Sequence, residues 1–162
     1  MTPDEVVNLA NCAPDSMPPG FGQTFIARSP EGVDAPVLLG RIRRAWEVIA
    51  GWGRWCDEAL GAWPPSEACL GQLPAWLRDA LGREPPFEVE NWMDDLHDRE
   101  WVWWSGAALD RLVKIDLSSG ALPVSTWPIE FVIEKAGGAV VYRGDWIPTP
   151  SAEAVGRTGE PA

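Results

Sequence analysis

The residues best suited to proton transfer lie in one short stretch. His97 is the chain's single histidine, and Asp94, Asp95, Asp98 and Glu100 flank it closely. An imidazole beside a carboxylate is the usual general base near neutral pH. A small hydrolase or transferase using His97 with its neighbouring carboxylates is therefore one reading. No G-x-S-x-G or comparable nucleophile motif accompanies it. The simpler account of His97 is a surface or helix-capping side chain.

Metal and phosphate chemistry have less to work with. Cys12, Cys56, Cys69 and His97 make up the numbers of a three-cysteine, one-histidine set, but none shows C-x2-C or H-x3-H spacing. The acids at 94, 95, 98 and 100 do not follow the twelve-residue calcium loop. Gly51-Trp52-Gly53 lacks the third glycine of a dinucleotide fingerprint, and there is no G-x-x-x-x-G-K-[ST]. The expectation is no metal, no cofactor and no enzymatic activity. Three cysteines do not describe a disulfide framework.

Charge is more informative. The chain carries 24 acids against 13 bases, a net charge of −11 over 162 residues. Binding nucleic acid by phosphate neutralisation needs a basic face, and an anionic membrane repels an acidic one. Neither is an expected partner, whereas a basic protein would be attracted and steered. The acids are also segregated: Glu84, Glu88, Glu90, Asp94, Asp95 and Asp98 follow one another with no Lys or Arg between them. Trp92, Trp101, Trp103 and Trp104 lie within or beside that stretch. Carboxylates would supply steering and register, and a tryptophan would anchor. The candidate partner-binding residues are Glu88, Glu90, Trp92, Asp94, Asp95, Asp98, Glu100 and Trp101. The competing account is a solvated helix face above a tryptophan core; the chain has 11 tryptophans, and core packing is the expected fate of most.

The elements that must position these residues can be read coarsely. Residues 3–11 suit a short helix. Residues 14–36, rich in Pro and Gly, suit an irregular arm with a short strand at Gln23–Ala27. Leu38, Leu39, Ile42, Trp46, Ile49 and Gly53 form a helical stripe that predicts a helix over 36–60, stopped by Pro64-Pro65. A second helix starts at Ser66, with Leu70, Leu73, Trp76, Leu77 and Leu81 on one face; Pro74 either kinks it or marks its true start. Residues 88–98 predict a helix, 101–104 a strand and 111–117 an alternating strand. Ser118–Ser125 reads as a turn, 126–136 as a helix ended by Gly137-Gly138, and 139–142 as a strand. The strand–helix–strand unit over 111–142 fits either parallel or antiparallel pairing. The fold class is α+β in one domain over 1–150, a helical N-terminal half followed by a β-β-α-β C-terminal half, with a flexible tail at 151–162. Met1–Ala10 carries Asp4 and Glu5 and does not read as a secretory signal, and no run approaches the roughly 18 apolar residues of a membrane span. The expected location is the cytosol.

The segment from Asp110-Arg-Leu-Val-Lys-Ile-Asp-Leu117 through Pro128-Ile-Glu-Phe-Val-Ile-Glu-Lys-Ala-Gly-Gly138 resembles small bacterial immunity proteins of polymorphic toxin systems. The size, acidity and tryptophan content fit the same group. The resemblance covers about the last third of the chain and carries no functional residues across. It implies a role: binding a cognate toxin, a secreted effector, and plugging its active site. The acidity of the chain adds the expectation of a basic cleft, as in a nuclease or deaminase. Self-assembly through a tryptophan-rich surface is a third reading.

Overall fold

The computed structural model describes residues 17–52, 66–120 and 125–148. The helix expected over 3–11, Cys12, Cys56, the end of the helix expected over 36–60, Pro64-Pro65 and the tail at 151–162 lie outside them. So do residues 121–124 of the expected turn.

The order of elements is β1 (Phe21–Arg28), α1 (Ala35–Trp52), α2 (Ser66–Gln72), α3 (Ala75–Leu81), α4 (Pro86–His97), β2 (Trp101–Leu109), β3 (Leu112–Ser119), α5 (Trp127–Lys135) and β4 (Ala139–Asp145). The strands form one antiparallel sheet in the order β2-β3-β1-β4. The architecture is α+β, as expected, with one correction. The strand inside the Pro/Gly-rich arm is not peripheral: β1 is an inner strand, hydrogen-bonded to β3 on one side and β4 on the other. Its centre, Thr24-Phe25-Ile26, is the β-branched and aromatic type that packs well on a pleated surface. The surrounding prolines and glycines end the strand rather than prevent it. Gly20 takes φ +72, and a Cβ there would sit 2.5 Å from the Ser119 carbonyl oxygen, so only glycine lets the chain enter β1 this close to the end of β3.

The strand–helix–strand unit takes neither simple form. β3 and β4 both run antiparallel to β1, so they are parallel to each other, with β1 inserted between them. The β2–β3 hairpin turns on Asp110 and Arg111, with Leu109 paired to Leu112; Asp110 adopts φ 50, a left-handed conformation that Asp tolerates better than most side chains.

Helix boundaries follow from local chemistry. The 36–60 prediction begins correctly at the α1 stripe: Leu38, Leu39, Ile42, Trp46 and Ile49 are buried. Pro74 divides the second predicted helix in two. It has no N–H to donate, and its carbonyl accepts from Leu77 and Arg78 at the start of α3. α4 starts two residues earlier than expected, with Pro86 in the first turn, where a missing N–H costs nothing. After α5, Gly137 at φ +100 supplies the left-handed step into β4.

One apolar core joins the sheet to the helices. Phe25, Ala27, Trp101, Trp103, Val113, Ile115 and Leu117 point from the sheet toward α1 and α5. Trp46 of α1 stacks on Trp101 with ring centroids 5.1 Å apart. α3 and α4 pack on α5 and complete the layer. No helix among the described residues is long and apolar enough to cross a membrane.

Candidate protein-binding surface

α4 carries most of the predicted site, and its periodicity sorts the residues. Trp92, Met93 and Leu96 face inward and are buried. Phe87, Glu90, Asn91 and Asp94 fall at i, i+3, i+4 and i+7 and are all exposed, with Asp98 continuing the row at the helix end. Glu88 and Glu100 are also exposed. The outward face of α4 therefore holds a row of carboxylates behind an aromatic ring, Phe87, that is 60% exposed.

The two tryptophans of the predicted site do not belong to it. Trp92 and Trp101 are both 0% exposed. The Trp92 indole donates to the Pro128 carbonyl at 3.2 Å, and its ring lies 5.6 Å from that of Phe131. The Trp101 indole donates to the Ser125 carbonyl at 2.6 Å. Each ring buries its area in the core and satisfies its N–H there, so neither reaches a partner. Every tryptophan among the described residues is buried or half-buried. The exposed aromatic ring that sequence reasoning missed is Phe87. Its position just after Pro85-Pro86, on the row that leads to Glu90 and Asp94, was the available signal.

The acids also divide. Glu84 pairs with Lys135 of α5, whose ammonium lies over the Phe131 ring. Asp95 accepts from the Trp127 indole and from the Ser125 hydroxyl, which fastens α4 to the start of α5. Both carboxylates serve packing between helices. Glu88, Glu90, Asp94, Asp98 and Glu100 remain outward. Beside the start of α4 an open cavity of about 500 Å³ is lined by Leu70, Leu81, Pro86 and Val89 together with Arg78, Glu84 and Glu90.

His97 Nδ1 lies 2.9 Å from Asp98 Oδ1, a pairing of sequence neighbours that orients the ring at the end of α4. Burial pushes the Cys69 thiol above its ordinary range, which makes it a poor nucleophile. Among the described residues no three His, Cys, Asp or Glu side chains gather into a metal-binding group.

A second polar group was not singled out from the sequence. On the sheet face turned away from the helices, Asp116 accepts from Thr24 Oγ1 at 2.7 Å, Ser105 Oγ at 2.6 Å and Lys114 Nζ at 2.5 Å. All four residues are buried. The chain leaving β4 crosses above them: Trp146 donates its backbone N–H to the Gly22 carbonyl, Ile147 donates to Thr24 Oγ1, and Lys114 Nζ lies 5.6 Å from the Trp146 ring centre. Ser118 donates to the Pro19 carbonyl at the edge of the same face. Every polar atom of the carboxylate is engaged, the condition under which a buried charge is tolerated.

No family model, no curated protein and no solved structure matches the chain.

Proposed function

We propose that this protein binds a basic protein partner through the outward face of α4 and, in the manner of an immunity protein, neutralises a cognate toxin by covering its active site. The observation that carries the reading is the row Phe87, Glu90, Asp94 and Asp98 on one exposed helix face, with no Lys or Arg on the helix. An apolar ring heading a line of carboxylates suits a cationic cleft: the charges accelerate encounter and set register, and the ring is the group whose burial adds affinity. The net charge of −11 favours the same class of partner. The sequence resemblance of the C-terminal third supplies the toxin-neutralising role.

The test has two stages. The tagged protein is used to isolate partners from its native cells, and each partner is then expressed in a susceptible host with and without this chain. A partner that arrests growth alone and is harmless when co-expressed supports the proposal. The triple variant E90K/D94K/D98K is expected to weaken binding about tenfold or more and abolish protection. A harmless partner, or a triple variant that protects as well as the native chain, would overturn it.

A further inference from the structure

The face of α1 turned away from the sheet differs from the rest of this acidic molecule. An open groove of about 840 Å³ runs between α1 and the α2–α3 junction. Val37, Val48, Pro74, Ala75 and Trp76 provide its apolar wall, and Arg41 and Arg44 stand along it on successive turns. No acidic residue is among its described lining. Both arginines are exposed, and neither takes part in an ion pair or hydrogen bond among the described residues. Val37 is 50% exposed, an apolar side chain left in water at the groove's end. In a chain with 24 acids and 13 bases, arginines have ample opportunity to pair, as Arg143 does with Glu130. Two that pair with nothing among the described residues, beside exposed apolar surface, suit a segment that is itself acidic and apolar.

The molecule carries such a segment. The exposed face of α4 presents Phe87 followed by Glu90, Asp94 and Asp98. From Phe87 to Asp98 the row spans eleven residue steps, as does the groove wall from Val37 to Val48. At the helical rise, each is roughly 16 Å long. We infer that this protein self-associates by seating the acidic face of α4 from one copy in the Arg41/Arg44 groove of a second copy. Phe87 would lie against the apolar wall, and the carboxylates would meet the two guanidiniums, a pairing that Arg makes well. One helix in one groove is a small contact, so the association is concentration-dependent rather than permanent. It covers the α4 face that the proposed partner would occupy, so self-association and partner binding compete. The inference itself requires no partner.

The experiment is sedimentation of the purified full chain over a range of concentrations, at low and at high salt. The native protein is expected to gain mass above the 17.7 kDa monomer as concentration rises, and to lose it as salt screens the contact. R41E/R44E and E90K/D94K are each expected to sediment as monomers. Mixed together they are expected to associate again, because each variant keeps the face that the other lacks. Circular dichroism of each variant alone confirms that it is folded. A native chain that is monomeric at every concentration overturns the inference. So does association that survives either variant, or a mixture that stays monomeric. Failure here leaves the proposed toxin binding standing, since R41E/R44E should still protect. Failure of protection leaves the sedimentation result standing.

Discussion

The two faces of the sheet are made by the same strands and are each buried at their centres, yet they are built on opposite principles. Toward the helices, Phe25, Trp101, Trp103, Val113, Ile115 and Leu117 form an apolar layer. On the reverse, Thr24, Ser105, Lys114 and Asp116 form a closed polar network beneath Trp146 and Ile147. β3 supplies both, alternating Val113, Lys114, Ile115, Asp116, Leu117. The apolar face gains from every methylene removed from water and tolerates imperfect geometry. The polar face gains little net energy and depends on completeness: each member is tolerable only while the others remain. The comparison predicts different responses to deletion.

The largest loss belongs to the apolar face. Trp101→Ala removes a ring that stacks on Trp46 and leaves a cavity between sheet and α1; Trp92→Ala does the same between α4 and α5. Each should cost about 3–5 kcal/mol in urea unfolding. A cost under about 1 kcal/mol would mean that the ring is not in the core.

The polar face should lose nearly as much from one substitution and recover from two. Asp116→Ala leaves the Lys114 ammonium buried without its carboxylate, at a cost of about 3 kcal/mol or more. K114M/D116L removes both charges and should be distinctly more stable than Asp116→Ala. It would retain a deficit of about 1–3 kcal/mol from the Thr24 and Ser105 hydroxyls that lose their acceptor. A double-mutant cycle measures this directly. Additive losses would show that Lys114 and Asp116 do not act as a unit.

This contrast also explains what could be read from the sequence. The α1 stripe was legible because a 3.6-residue period of large apolar groups has few other meanings. The alternation of β3 was legible too, but alternation states which residues share a face and not what covers that face. Lys114 and Asp116 therefore read as ordinary polar positions. Their burial depends on the chain beyond β4 folding back to place Trp146 and Ile147 over them, a long-range event with no local pattern. β1 was recognised as a short strand in an irregular arm, but its place inside the sheet was not legible for a similar reason: its partners, β3 and β4, lie far along the chain, at Leu112–Ser119 and Ala139–Asp145. The candidate surface was half legible. The carboxylate row follows from helical spacing. The sequence reading favoured tryptophans because tryptophan is the commoner hot-spot residue, whereas Trp92 turns inward and Phe87 outward.

The smallest expected effect on stability is at that surface, and it separates function from fold most cleanly. Glu90, Asp94 and Asp98 make no ion pair with a Lys or Arg among the described residues, and each is exposed, so E90K/D94K/D98K should leave the unfolding free energy within about 0.5 kcal/mol. Replacing acids in a chain of net charge −11 also relieves repulsion, which opposes any loss. Asp95 provides the internal control. It lies one residue from Asp94 but accepts from Trp127 and Ser125, so Asp95→Ala should destabilise by about 1–3 kcal/mol while leaving the outward row intact. If the triple variant unfolded as readily as Asp95→Ala, the row would be part of the fold's own support. If it keeps native stability and loses its partner, the carboxylates serve a second molecule.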